Sequence, residues 1–152
     1  LNAAEPVRRE TMEYFLKVFE QCGFRWETFS PGYGLAEATL KVSATNWFDS
    51  PVFRRVKADA LEQHRLVDTD EVDGSRVLAG CGRPKAEFGT RVVIVDPETL
   101  TECAADQIGE IWVSGPGVAR GYWNKPEESE QTFRARLSDT GESPFLRTGD
   151  LG

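Results

Sequence analysis

The segment SPGYGLAEATL, Ser30 to Leu40, separates two regions of different character. Pro31, Gly32 and Gly34 break regular structure, and Leu35 to Leu40 can then begin a short helix. Just before it, the aromatic-rich run Phe24 to Phe29 predicts a strand. Earlier still, Val7, Thr11, Phe15, Val18, Phe19 and Cys22 recur at spacings of three and four, which predicts a helix over Pro6 to Cys22. Pro6 suits the first turn of that helix and Gly23 its C-terminal cap. Helix, strand, glycine-rich loop and helix in this order describe the end of an α/β layered unit. The loop after such a strand is where α/β proteins collect ligand-binding groups.

Beyond this segment the texture changes. Thr45 to Gly80 is polar and charge-rich, with Arg54, Arg55, Lys57 and Asp59 at one end and DTDEVDGS (Asp68 to Ser75) further on. Alternation in HRLV (His64 to Val67) and SRVLAG (Ser75 to Gly80) predicts a hairpin turning at Asp73-Gly74. The acidic run lacks the terminal Glu and the following helix of a calcium loop, so it reads as a turn. From Gly82 the chain is β-rich. TRVVIVD (Thr90 to Asp96) and GEIWVSG (Gly109 to Gly115) predict strands, and SPFLRTGD (Ser143 to Asp150) contains another. Asn124 suits the cap of a short helix starting at Pro126, with Glu127 and Glu128 in its first turn. Closely spaced strands with glycine turns predict a small barrel or curved sheet. The expected class is α+β. Residues 1–45 would be the end of an α/β layered subdomain, 46–81 an inserted hairpin-like segment, and 82–152 a β-rich subdomain built as a distorted barrel.

Composition bounds the chemistry. With 39% hydrophobic and 28% charged residues, the chain has material for a real core. A formal net charge of −7 argues against non-specific nucleic-acid binding, which needs clustered Lys and Arg. The three cysteines, Cys22, Cys81 and Cys103, are odd in number, widely spaced and without a Cys-x-x-Cys pair. They read as buried reduced thiols of a cytosolic protein, not as a disulfide framework or zinc site. His64 is the single histidine, which leaves little material for Ser-His, Cys-His or multi-histidine metal chemistry. No apolar run reaches membrane-spanning length, and no signal peptide is visible. A chain opening on Leu1 whose first residues look internal reads as part of a longer polypeptide.

Three segments carry a resemblance when taken in order: AAEPVR (Ala3 to Arg8), YGLAE (Tyr33 to Glu37), and GEIWVSGPGVARGYW (Gly109 to Trp123) with RTGD (Arg147 to Asp150) downstream. Together they resemble the adenylate-forming superfamily of acyl-CoA synthetases, peptide-synthetase adenylation domains and luciferases. Within it, the match is best to the fatty acyl-AMP ligases, and it covers essentially the whole chain. The resemblance implies a cytoplasmic enzyme in which a fatty acid carboxylate attacks the α-phosphate of ATP, pyrophosphate leaves, and an acyl-adenylate forms. Such chemistry works by positioning and charge neutralisation, so it needs no His or Cys nucleophile.

The resemblance also implies roles. The loop Ala3-Ala4-Glu5-Pro6 would lay its backbone against adenine, with Ala3 where Gly is usual. Tyr33 would stack on the other adenine face, with Gly34 beside it in the nucleotide loop. Glu37 would be the catalytic carboxylate that helps hold Mg²⁺ near the phosphates. Ala36 replaces the Thr of the wider superfamily, a form that resembles the fatty acyl-AMP ligases. Asp150 would accept hydrogen bonds from the ribose hydroxyls, with Gly149 permitting a tight turn. GPGVARGYW would be structural: its glycines bend strands, Tyr122 and Trp123 fill the core, and Arg120 serves the loop.

Residues 38–81 separate Glu37 from Gly82-Arg83-Pro84, a longer connection than acyl-CoA synthetases carry. It resembles the insertion that, in fatty acyl-AMP ligases, packs against the enzyme's own C-terminal domain and hinders transfer to CoA. The acyl acceptor implied is an acyl carrier protein or a polyketide synthase carrier domain. The family's phosphate loop would precede Leu1, and its hinge and catalytic lysine would follow Gly152, so this stretch alone is expected to be inactive. The alternatives are a stretch of a long-chain acyl-CoA synthetase with an unusual loop, or a non-enzymatic interaction module that docks through the insertion.

Overall fold

A computed structural model describes residues 1–84, 87 and 89–152. Helix α1 spans Arg9–Phe19 and runs on into a 3-10 turn, Glu20–Cys22, that stops at Gly23. It starts later than the periodicity predicts: Arg8 is extended (φ −108°, ψ 127°), so Pro6 lies outside the helix. The reason is tertiary. Asn2 donates to Ser30 O (2.8 Å) and accepts from Gly32 N (2.9 Å), which holds the start of the chain extended beside residues 30–32. Met12 is buried on the inner side of α1, and Phe15 meets Phe24 and Phe29 edge-on at ring centroid distances of 5.1 and 5.9 Å.

The predicted strand at Phe24 to Phe29 does not form. Trp26–Thr28 is a 3-10 turn closed by local bonds, Thr28 N to Arg25 O (3.0 Å) and Phe29 N to Trp26 O (3.1 Å). Its aromatic rings gather in one cluster with α1, whereas a strand would send successive side chains to opposite faces.

Strand β1 (Gly32–Tyr33) pairs antiparallel with β2 (Ser43–Ala44), and a 3-10 turn over Ala36–Ala38 lies between them. This is the short helical turn predicted after the glycine loop. Gly34 is required there, because a Cβ at this position would fall 1.4 Å from Leu40 O. The backbone itself occupies the space that any side chain would need.

Within residues 46–81, β3 (Phe53–Lys57) leads into the short helix α2 (Ala58–Glu62), and β4 is Ser75–Ala79. The pair β3–β4 is antiparallel, from Phe53 opposite Ala79 to Lys57 opposite Ser75. The hairpin expectation is therefore half right. SRVLA is a strand, but its partner is β3 and not HRLV. Residues 67–69 lie on the other edge of β3, through Lys57 N to Val67 O (2.9 Å) and Thr69 N to Arg55 O (3.0 Å). Val56, fully buried, explains why β3 takes the central position.

Strands β5 (Arg91–Val95), β6 (Glu110–Ser114) and β7 (Leu146–Leu151) form an antiparallel sheet in that order. It is an open sheet; among the described residues no barrel closes. Helix α3 is Pro126–Phe133, with Pro126 and two glutamates in its first turn as expected. Asn124 does not cap it. Lys125 occupies the cap position without a side-chain capping hydrogen bond, and Asn124 sits in the left-handed region at φ 56°. The overall class is α+β.

Two apolar clusters hold the sheet. Val93, Val95, Trp112, Leu137 and Phe145 pack on one side. Ala38, Val42, Val113, Phe133 and Leu146 form the other, with Tyr33, Leu35 and Tyr122 against its edge. The second cluster matters for function because it presses the β1–β2 connection onto β6, β7 and α3. Burying each large aliphatic or aromatic side chain is worth about 1.5–3 kcal/mol, so the union of the two halves rests mainly on these contacts. Tyr122 packs at the core as expected, but Trp123 is 90% exposed. The two residues are adjacent, and the chain there turns only one of them inward. The cysteines are unpaired; Cys22 is exposed and the other two are half-buried, so the expectation of buried thiols fails for Cys22. No helix is long and apolar enough to cross a membrane among the described residues.

Candidate functional site

Tyr33 and Asp150 meet. The Tyr33 hydroxyl donates to Asp150 Oδ2 at 2.6 Å. Tyr33 is half-buried, and burial first, then the hydrogen bond to Asp150, push its phenol well above the ordinary value. It therefore stays protonated, and a donor, through the neutral range.

Asp150 reaches Tyr33 because β7 bulges. Trp112 is opposite Arg147 but Glu110 is opposite Leu151, so β7 carries extra residues between two ladder positions. Gly149 takes up the turn at φ 74°. The bulge is pinned from β6. Glu110, 6% exposed, accepts from Arg147 Nε (3.0 Å), Arg147 Nη2 (2.8 Å) and Gly149 N (3.0 Å). Burial alone would raise the Glu110 carboxyl, but the bonds from Arg147 and Gly149 outweigh it and hold the group below the usual carboxylate range. Thr148 Oγ1 adds a bond to Ile111 O (2.7 Å) and accepts from Asp150 N (3.1 Å). Asp150 is thus aimed by its neighbours on both sides.

Glu37 lies in the 3-10 turn after β1. Its Oε1 accepts from the Tyr122 hydroxyl at 2.8 Å, and its backbone O accepts from Ala119 N at 2.8 Å. Among the described residues, no hydrogen bond takes its Oε2, so one oxygen remains available to a cation. No group of three or more His, Cys, Asp or Glu side chains that could hold a metal occurs among the described residues. A single free carboxylate oxygen suits Mg²⁺, which binds through one or two carboxylates plus substrate phosphates and waters, better than a metal that needs a full protein cage.

The expected nucleotide residues are placed unequally. Tyr33, Gly34, Glu37 and Asp150 share the junction of β1, its following turn and β7. Ala3, Ala4 and Glu5 are exposed and follow Asn2, the residue bonded beside β1. Ala4 takes a left-handed backbone (φ 74°), which costs an L-residue about 1–2 kcal/mol. No hydrogen bond joins these three to Tyr33, Glu37 or Asp150 among the described residues. Sequence reasoning passed over two supporting residues. Tyr122 read only as core, and Glu110 only as a strand residue. The signal for Glu110 was a carboxylate in an otherwise apolar strand, EIWVS, with Arg147 as a cationic partner.

A broad cleft of about 960 Å³ opens beside β2, with Ala38, Thr39, Lys41 and Gly117 in its wall. Neither Tyr33, Glu37 nor Asp150 lines it, so this cleft is separate from the hydrogen-bonded pairs described above.

Comparison with known proteins identifies the chain's relatives. The family model described as AMP-binding enzyme matches residues 1–123. The medium-chain-fatty-acid–[acyl-carrier-protein] ligase JamA of Moorena producens is 47% identical over 99% of this chain, which spans 26% of that protein. The long-chain-fatty-acid–AMP ligase FadD32 of Mycolicibacterium smegmatis is 38% identical over the whole chain, again spanning 26% of the relative. Among solved structures, the fatty acyl-adenylate ligase from L. pneumophila, in complex with acyl adenylate and pyrophosphate, superposes with a TM-score of 0.91 at 45% identity. That match covers 99% of this chain and 26% of the other. The chain therefore belongs to the family of AMP-binding enzymes, and the relatives it resembles there include fatty acyl-AMP ligases.

Proposed function

We propose that this chain is the nucleotide-facing stretch of a fatty acyl-AMP ligase. The observation that supports it most is the Tyr33–Asp150 contact, which joins two motif residues 117 positions apart into one surface patch. In this reading the Tyr33 ring lies against adenine while Ala3, Ala4 and Glu5, with Gly34, border the same base. Asp150 accepts from the ribose hydroxyls; one oxygen already takes the Tyr33 hydroxyl, and the carboxylate keeps acceptor capacity for both. Glu37 faces the phosphates and would hold Mg²⁺ through its free oxygen. Bound Mg²⁺ supplies charge neutralisation on the phosphates.

The reaction balances simply. A fatty acid carboxylate oxygen forms a bond to the α-phosphorus of ATP, the bond from that phosphorus to the bridging oxygen breaks, and pyrophosphate departs with the electron pair. Residues 1–45 and 82–152 form the two walls of this site, and 46–81 is the insertion. The insertion faces the enzyme's own C-terminal domain and disfavours CoA, so the acyl group passes to a carrier protein or a synthase carrier domain in the cytoplasm.

A product assay on the full-length enzyme tests this. With ATP, Mg²⁺ and a fatty acid, acyl-AMP should accumulate whether or not CoA is present, and deleting residues 46–81 should raise acyl-CoA formation. Asp150→Ala should lower adenylate formation more than about tenfold, the worth of a charged hydrogen bond of roughly 1.5–3 kcal/mol. Rapid acyl-CoA release by the wild type would instead assign the chain to the acyl-CoA synthetases. An unchanged Asp150→Ala rate would remove Asp150 from the site.

A further inference from the structure

The geometry points to Tyr122 as a positioning residue that orients the Glu37 carboxylate, with the Gly115–Trp123 segment acting as its mount. This rests on the reading that Glu37 serves the nucleotide phosphates and their Mg²⁺.

Three bonds tie that segment to the Glu37 turn. Ala119 N donates to Glu37 O (2.8 Å), Thr39 Oγ1 donates to Gly117 O (2.5 Å), and Tyr122 Oη donates to Glu37 Oε1 (2.8 Å). Two of them hold the turn at Glu37 and at Thr39, and the third reaches the carboxylate itself.

The Tyr122 ring is in turn held firmly. It packs edge-on against Phe133, a residue only 2% exposed, at a centroid distance of 5.0 Å. Its own N–H donates to Ser129 Oγ at 2.8 Å, and Lys125 Nζ sits 5.8 Å from the ring centroid. The hydroxyl is therefore delivered from the β6–α3 connection by a ring packed on α3, not by a wandering surface side chain. If packing were its whole purpose, a phenylalanine would serve equally. The hydroxyl does something more: it occupies Oε1 and turns Oε2 outward.

The arrangement splits the roles within one carboxylate. One oxygen is anchored to the β6–α3 connection, and the other is free for the cation. Removing the anchor leaves Glu37 able to reach Mg²⁺ but spread over several rotamers, so cation affinity falls while the fatty acid site is untouched.

The test is ATP–pyrophosphate exchange by the full-length enzyme across a Mg²⁺ titration. Tyr122→Phe keeps the ring against Phe133 and removes only the hydroxyl. The half-saturating Mg²⁺ concentration is expected to rise about tenfold, the scale of one lost hydrogen bond to a charged group, with the fatty acid KM unchanged. A lowered thermal midpoint is compatible with the loss of this bond, and a Mg²⁺ curve that overlays the wild type overturns the inference. Glu37→Gln is the control. If it raises the Mg²⁺ requirement and Tyr122→Phe does not, the positioning role alone fails. If Glu37→Gln leaves the curve unchanged, the assignment of Glu37 itself fails, and Tyr122 with it. In the double variant, Tyr122→Phe should add nothing to Glu37→Gln, because the two act through one carboxylate. Thr39→Val loosens the same mount without touching Tyr122. It should shift the curve in the same direction by a smaller factor, and an unshifted curve counts against the mount.

Discussion

Replacing Glu110 by glutamine perturbs the device that aims Asp150 while leaving its shape nearly intact. Glutamine keeps one oxygen to accept from Gly149 N but loses the charge that faces Arg147. A hydrogen bond to a charged group contributes about 1.5–3 kcal/mol, and Glu110 makes two to Arg147 at 2.8 and 3.0 Å. The Glu110 side chain is only 8% exposed, but the Arg147 side chain is 39% exposed. Water can therefore take over part of what the guanidinium loses, which brings the expected destabilisation down to about 1–2 kcal/mol. With a urea slope of roughly 2 kcal/mol per molar, the unfolding midpoint of the chain at pH 7 should fall by about 0.5–1 M.

The pH dependence makes this test specific. The folded Glu110 carboxyl is held below its ordinary value of 4.5. A depressed carboxyl contributes stability that is fully present above the unfolded value and is lost as pH falls through the lower folded value. The gap between wild type and Glu110→Gln should thus be constant from neutral pH down to about 5, then close below that, where the wild-type carboxyl also becomes neutral. Coincident midpoints at pH 7 would refute the pinning of β7 by Glu110. So would a gap that survives after the wild-type group has titrated, because the charge would then not be its source.

Two other outcomes follow from the same geometry. Tyr33 and Tyr122 are two of the three tyrosines, and both phenols lie above the ordinary value of 10.0. Ultraviolet difference titration should show phenolate signal still missing at about pH 11, and Tyr33→Phe should remove the last step. The contribution of Tyr33 to stability is complete below the ordinary phenol value and is lost as pH rises through the folded one, so alkaline unfolding should begin there; a single step near 10 would contradict this. Gly34→Ala places a Cβ 1.4 Å from Leu40 O, so the β1–β2 connection must open. A loss of about 3 kcal/mol by urea unfolding is expected, and a wild-type midpoint would show that the backbone there yields freely.

The elements legible in the sequence were those set by local pattern. Alternation in RVVIV and EIWVS marks strands β5 and β6, spacing of three and four marks α1, and Pro126 with two glutamates marks the start of α3. The ordered motifs likewise indicate the family, and the AMP-binding enzyme model matches residues 1–123. The failures share one cause. Phe24 to Phe29 has the composition of a strand, but α1 offers its rings a better burial than a sheet would. HRLV and SRVLAG both alternate, but Val56 brings β3 between them. Composition states what a segment can do, while the available partner decides what it does.

The pairings that make a site belong to this second category. Nothing local links Tyr33 to Asp150, 117 residues away, or Glu37 to Tyr122, 85 residues away. By itself the sequence determined which residue types were present, that a helix precedes the β-rich segments, and which chemistry their motifs resemble. Only the tertiary structure decided that Glu110 pins the bulge that turns Asp150 toward Tyr33, and that Tyr122 holds one oxygen of Glu37. Those contacts lie beside the cluster of Ala38, Val42, Val113, Phe133 and Leu146, against which Tyr33 and Tyr122 pack. Hydrophobic burial is non-directional, so it brings the two halves together, while short-range hydrogen bonds select the partners.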